Sequence, residues 1–132
     1  MWAKSMKIAL IDANIIIRFL VGDDEKLYEK AAKIFESIEK GKQKAILCEA
    51  VMMEVYFVMT KFYKLPKVEV INDLKRVLSL DAVMNNDKSI LLETLSILEY
   101  TNIDFADALL CAKAKFFGYE ILSFDKDIRK CI

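Results

Sequence analysis

The stretch that decides the fold lies near the start of the chain, where residues 7–17 read KIALIDANIII. Residues 8–11 are apolar without interruption, a pattern typical of a strand that is covered on both faces of a parallel sheet. The run stops at Asp12 and passes through Asn14 into a second apolar run that predicts a helix. Open α/β sheets bind their ligands where the strands end. We therefore identify Asp12 as the first acid of a candidate metal site.

Strand-like and helical segments alternate along the rest of the chain. The apolar run at residues 45–48 and the segment at residues 120–123, between Gly118 and Asp125, each predict a further strand. Residues 82–84 predict a weaker one. Helices are expected at residues 13–21, from a cap at Asp23 or Asp24 until Gly41, and at residues 49–63, 67–80, 88–100 and 104–117. The alternation predicts an α/β fold with parallel pairing and right-handed crossovers.

Composition excludes several kinds of site. The chain has no histidine, so His-based triads and His-ligated zinc are ruled out. Its 20 Lys and Arg residues balance 20 Asp and Glu residues, which leaves no overall positive field to attract nucleic acid. The apolar fraction of 55% favours a hydrophobic oligomer face or partner groove. Cys48, Cys111 and Cys131 lack a C-x-x-C spacing and are expected to be thiols in a reducing compartment.

Neither a membrane span nor a signal peptide is expected. Glu54 and Glu93 interrupt the two most apolar stretches before they reach the ~18 residues that a membrane helix needs. Residues 1–5 lack the apolar core of a signal peptide. We therefore expect one cytoplasmic domain over residues 1–132, in which Met6 is an alternative start and residues 1–5 form a short extension.

Glu54 is the most informative acid by physical argument. At 100° per residue it lies about 60° from Val51 and about 40° from Val58, so we expect it to be buried. A buried carboxylate needs a cation, a hydrogen-bond network or a proton, because leaving it unpaired costs several kcal/mol. A structural partner such as Arg18 is the alternative to a metal ion.

The other acids stand where helix caps are common. Asp12 precedes a helix, so an N-cap role explains it as well as a ligand role does, although Asn14 can cap instead. Asp104 and Asp107 are spaced like a capping box. The functional interpretation keeps Asp104 as the cap and gives Asp107 to the metal. Asp125 follows the last predicted strand and would emerge at the same sheet edge as Asp12 if the two strands are parallel.

Four short motifs, in this order, resemble those of the PIN-domain family, and most closely those of VapC-type toxin ribonucleases. They are DANIIIRFL at residues 12–20, residues 48–65 with the helical acid at Glu54, DFADALL at residues 104–110 with its acid at Asp107, and SFD at residues 123–125. Many members have Thr at the position of Ser123. The resemblance runs from Met6 to Lys130, and many relatives continue with another strand after the fourth motif.

This resemblance implies a three-layer α/β/α sandwich with a central, mostly parallel sheet. It also implies an endoribonuclease that leaves 5′-phosphate and 3′-hydroxyl ends on RNA. Such a protein would be the toxin of a type II toxin-antitoxin pair, inhibited by a cognate antitoxin and working as a homodimer.

Carboxylates without His or Cys ligands make an all-oxygen site that suits Mg²⁺ or Mn²⁺. Bound ions would polarise the phosphodiester and lower the pKa of the attacking water. The expected ligands are Asp12, Glu54 and Asp107, with Asp125 direct or through water, while Asn14 and Ser123 would orient ligands or water. Asp127, two residues beyond Asp125, competes with it but is expected to be solvated.

Substrate contacts are less specific. Candidates for phosphate contacts are Arg18, Lys61, Lys113 and Lys126, although most helical lysines are only solvated. Tyr56, Phe57 and Tyr63 can stack on bases, or belong to the core or a dimer interface.

Two other functions remain open. An aspartate-based phosphohydrolase would use Asp12 as nucleophile but needs a second acid at position 14, which is Asn14. In a non-catalytic module that only binds a partner, the acids would be caps.

Overall fold

The structure is a computed structural model that describes residues 7–131, and of Lys130 only the backbone. The alternative start at Met6 and the extension before it lie outside the described residues. In chain order the elements are β1 (Ala9–Leu10), α1 (Ala13–Val21), α2 (Glu25–Glu39), β2 (Ala45–Ile46), α3 (Glu49–Phe57) with a π-helical continuation (Val58–Phe62), α4 (Lys67–Ser79), α5 (Lys88–Tyr100), α6 (Phe105–Phe117) and a final 3₁₀-helix (Lys126–Cys131).

The sheet is parallel, as predicted, but small. Ala9 lies opposite Ala45 and Leu10 opposite Ile46, so β1 and β2 form one short ladder. Val83 forms an isolated parallel bridge to Ala45. The weak strand predicted at residues 82–84 is thus reduced to this single bridge. The chain is therefore α/β and rich in helix, while the three-layer sandwich stays a prediction.

The strand predicted at residues 120–123 does not form in the described part of the chain. Local turns hold both ends of this segment: the Tyr119 N–H donates to the Ala114 carbonyl at 3.0 Å, and the Asp125 N–H donates to Ser123 Oγ at 2.9 Å. The first strand also differs from the prediction: its apolar run predicts burial on both faces, but Leu10 is 71% exposed. A local sequence pattern can favour a strand, but the strand forms only when another strand offers it a paired edge in register.

The predicted helices are confirmed, and local signals set most of their ends. The Asp24 side chain accepts the Leu27 N–H at 3.0 Å and caps α2, and Gly118 ends α6 with a φ of 72° that glycine tolerates best. The helix predicted at residues 49–63 is divided between α3 and the π-helical continuation. It ends ahead of Pro66, as a proline predicts.

The core lies among the helices and beneath the short sheet. Its fully buried large side chains come from α1 to α5, from the π-helical continuation of α3 and from the residue after β2; they include Ile16, Ile38, Leu47, Met52, Met59, Leu74, Leu78, Leu91 and Leu95. Burial of each such side chain contributes about 1.5–3 kcal/mol. Thr94 is buried too, and its hydroxyl donates to the Ile90 carbonyl at 2.8 Å. None of the helices within residues 7–131 has both the length and the apolar content needed to cross a bilayer.

Two of the three cysteines that were expected to be thiols lie next to each other. Cys111 on α6 and Cys131 at the end of the final 3₁₀-helix are within reach of a disulfide, with their Cα atoms 6.1 Å apart, and Cys48 is free. The pair is 20 residues apart in sequence, so only the packing of the final 3₁₀-helix against α6 brings them together. The contact places the segment that follows Asp125 against the helix that carries Asp107.

Candidate metal centre

Asp12 stands at the N-cap position of α1, directly after the strand region, but its side chain makes no cap hydrogen bond. The backbone carbonyl of Asp12 accepts the Ile15 N–H at 3.1 Å instead. The carboxylate is exposed, and so is Asn14 in the first turn of the helix. Because capping does not use the Asp12 carboxylate, its oxygens are available to a ligand.

Asp104 has the capping role that the sequence predicts for it. The Asp107 N–H donates to Asp104 Oδ1 at 2.9 Å, so Asp104 caps α6. Asp107 follows in the first turn of the same helix and is half-buried. Burial raises the pKa of the Asp107 carboxyl, and the negative charges of Asp104, Asp125 and Asp127 raise it further.

Asp125 therefore lies in the electrostatic neighbourhood of Asp107, although a turn and not a strand end places it there. Its Oδ1 accepts the Asp127 N–H at 2.9 Å at the start of the final 3₁₀-helix. Ser123 Oγ accepts the Asp125 N–H, so this hydroxyl positions the backbone of the turn. The sequence predicts that Asp127 is a solvated competitor of Asp125; in the structure it is exposed, and its negative charge, like that of Asp104, raises the pKa of Asp107.

Glu54 is exposed, which corrects the expectation that it is buried. The helix buries Met52, Val55 and Met59 on another face. The prediction of burial for Glu54 rested on its apolar neighbours Val51 and Val58, and these are themselves only half-buried. The alternative prediction, an ion pair between Glu54 and Arg18, is also wrong, since Arg18 Nη1 pairs with Asp23 Oδ1 at 3.3 Å.

Two contacts show how α3 lies against α6. Lys113 Nζ is 3.1 Å from Glu49 Oε2, and the ring centroids of Tyr56 and Phe105 are 5.7 Å apart. From the first contact to the second, residue numbers rise along α3 and fall along α6, so the two helices are antiparallel. Counting residues from these contacts places Glu54 at the same height along the helix pair as Asp107.

The two carboxylates do not face each other in this register. At 100° per residue, Glu54 lies about 140° around α3 from Glu49 and about 160° from Tyr56, the two residues that contact α6. Within residues 7–131, no three acidic or cysteine side chains are close enough together to hold one metal ion. The four-carboxylate ligand set thus stays a prediction.

The donor chemistry of the individual residues nevertheless suits a hard cation. Asp12, Glu54 and Asp125 offer exposed carboxylates, and Asp107 is half-buried among negative charges. Oxygen ligands of this kind are those that Mg²⁺ takes in proteins. A cation beside Asp107 would offset the repulsion that raises its pKa.

The four candidate phosphate contacts fall into two pairs. Arg18 and Lys113 already form salt bridges, with Asp23 and Glu49 respectively. Lys61 and Lys126 are exposed, and neither has a salt-bridge partner among the described residues. Of these four candidates, a phosphate group can therefore contact Lys61 and Lys126 without breaking an existing ion pair.

Comparison with known proteins adds two similarities. The PIN domain family model matches residues 9–131, a range that contains all four candidate acids. The chain is also 26% identical over 123 residues to a VapC ribonuclease of Aquifex aeolicus (strain VF5), covering 92% of this chain and 90% of that protein. No solved structure matches the chain significantly.

Proposed function

This chain belongs to the PIN-domain family, and from that membership we propose that it is a metal-dependent endoribonuclease that hydrolyses RNA phosphodiester bonds. The observation that carries the proposal is the environment of Asp107, a half-buried carboxyl group whose pKa is raised by burial and by the negative charges of Asp104, Asp125 and Asp127. Such a group is stabilised by a divalent cation. The similarity to a VapC ribonuclease supports RNA as the substrate.

The proposed ligands of Mg²⁺ or Mn²⁺ are Asp12, Glu54 and Asp107, with Asp125 direct or through water. When bound, the ion would polarise the phosphodiester and activate a water molecule as nucleophile. The chain's own contribution is to hold the carboxylates: Asp104 caps α6, which leaves Asp107 for the site, and Ser123 fixes the turn at Asp125. The first turn of α6 also favours phosphate oxygens through its helix dipole.

The biological role that we propose is that of a cytoplasmic toxin with a cognate antitoxin, acting as a homodimer. An exposed aromatic cluster supports a protein partner: Phe116, Phe117 and Tyr119 are each at least 50% exposed and contact one another at the end of α6. Apolar surface gathered in this way is typical of an interaction site. The three-layer sandwich implied by the family belongs to the same proposal.

Substitution by isosteric amides tests the nuclease. Asp12→Asn, Glu54→Gln and Asp107→Asn should each reduce Mg²⁺- or Mn²⁺-dependent cleavage of labelled total RNA by about 100-fold or more, since even groups that only support a metal ligand are often worth 10–100-fold. Circular dichroism should show an intact fold, because Asp12 and Glu54 are exposed.

Asp81→Asn is the matched control, since Asp81 is an exposed acid outside the four motifs, and it should cleave like the original chain. Cleavage that continues in the presence of a chelator, or that all three amide variants retain, would contradict the proposed function.

A further inference from the structure

A groove of about 410 Å³ opens between the end of α3 and the linker from α5 to α6. One wall carries Tyr56, Phe57 and Lys61, and the other carries Asn102 and the residues that begin α6. Tyr56 is half-buried and packs on Phe105, whereas the Phe57 side chain is 58% exposed. The groove thus presents one accessible aromatic face beside the helix that carries Asp107.

The charges that line the groove leave one cation uncommitted. Lys67 Nζ donates to the Thr101 carbonyl at 2.9 Å, and the Asp104 carboxylate caps α6. Lys61 forms no salt bridge within residues 7–131. Two lysines against one aspartate give the lining a net positive charge. Of the two lysines, Lys61 is the one whose ammonium group is available to a ligand.

The accessible aromatic ring and the free cation lie on one stripe with a proposed metal ligand. Glu54, Phe57 and Lys61 follow one another at spacings of three and four residues, which places them on the same helical face, and all three are exposed. The stripe runs into the π-helical continuation, where the Tyr63 N–H donates to the Val58 carbonyl at 3.1 Å. π-Helical turns are frequent at functional sites.

We propose that this groove binds one nucleotide of single-stranded RNA beside the bond that is cleaved. The base stacks on Phe57, its phosphate contacts Lys61, and the Asn102 amide on the opposite wall supplies a donor and an acceptor for the base edge. An aromatic face next to an unpaired cation is the combination by which proteins hold single strands. The inference rests on the proposed ribonuclease function and adds to it a site that selects unpaired RNA.

Binding without cleavage tests the role of Phe57. In an Asp12→Asn background with Mg²⁺ present, the additional substitution Phe57→Ala should raise the Kd for a short labelled single-stranded RNA roughly 5- to 150-fold, the effect of losing one base stack. Phe57→Trp should restore the affinity because it keeps a stacking face. Phe62→Ala is the matched control: Phe62 is 74% exposed on the same helical segment but does not line the groove, and its loss should leave the Kd unchanged.

The salt dependence tests the role of Lys61. Lys61→Ala should make the slope of log K against log salt concentration shallower by about 0.7, the contribution of one phosphate contact to a single strand. Lys30→Ala, on the exposed face of α2, should leave the slope unchanged. Phe57→Ala should lower the affinity without changing the slope.

The outcomes separate this site from the nuclease itself. An unchanged Kd in Phe57→Ala, while the original chain binds and cleaves RNA, overturns the nucleotide site and leaves the nuclease standing. If the original chain neither binds nor cleaves RNA, the proposed function fails and the site fails with it. If sedimentation shows that Phe57→Ala changes the oligomeric state, the groove is a protein interface and the nucleotide proposal is wrong.

Discussion

At the scale of single residues, Asp107 has the most informative environment. Burial and three neighbouring carboxylates raise its pKa above the ordinary value of 3.8. The folded protein therefore keeps this proton at pH values where the unfolded chain has lost it. The stabilising contribution is fully present below the unfolded pKa and is lost as pH rises through the folded pKa.

We expect Asp107→Asn to be more stable than the original chain at neutral pH when a chelator is present. The advantage should shrink as pH falls below about 3.8, since the carboxyl is then protonated in both states. Urea unfolding across this pH range measures the difference. A less stable Asp107→Asn protein at neutral pH without metal would contradict the assigned electrostatics.

At the scale of secondary-structure elements, α2 and α6 begin in the same way. Asp24 accepts the Leu27 N–H at 3.0 Å and Asp104 accepts the Asp107 N–H at 2.9 Å. The Asp104 cap differs in one respect, because its negative charge also repels Asp107. The cap of α6 therefore stabilises the helix while it opposes ionisation of the candidate ligand.

This difference predicts unequal effects of the same substitution. Asp24→Ala should destabilise the protein by about 0.5–2 kcal/mol through loss of the cap. Asp104→Ala should cost less, since the lost repulsion partly offsets the lost cap, and Asp104→Asn should cost least because the amide still caps. Thermal unfolding at neutral pH without divalent ions ranks the three variants, and a larger loss in Asp104→Ala than in Asp24→Ala would oppose the account.

At the scale of the whole molecule, the unusual feature is the aromatic cluster at the end of α6. Phe116 and Phe117 contact edge-to-face with centroids 5.1 Å apart, and Phe117 and Tyr119 stack at 5.2 Å. These rings contact one another, yet they stay exposed in the single chain. An association that covers them would remove apolar surface from water.

We expect sedimentation equilibrium to give a molecular mass of twice the chain mass of 15.2 kDa. A double substitution of Phe116→Glu and Tyr119→Glu should shift it to the monomer, because charges placed in an apolar interface are costly to desolvate. Tyr100→Glu is the control, since Tyr100 is similarly exposed at the end of α5. A dimer that survives the double substitution would show that another surface mediates assembly.

The sequence by itself determined the helices and the cap of α6. Capping residues, the glycine at position 118 and the proline at position 66 act within one or two turns, so their effects are legible from neighbouring residues alone. The four candidate acids were also chosen from the sequence, and the PIN domain match spans them all; their role as metal ligands stays a prediction.

Only the tertiary structure decided the extent of the sheet, the exposure of Glu54 and the contact between Cys111 and Cys131. Each of these depends on surfaces contributed by distant parts of the chain. Val51 and Val58 are apolar but lie where the core does not fully cover them, so Glu54 between them reaches solvent. Residues 120–123 carry a strand pattern without a paired edge. A local pattern reports what a segment can bury or pair, whereas its neighbours in space determine whether it does so.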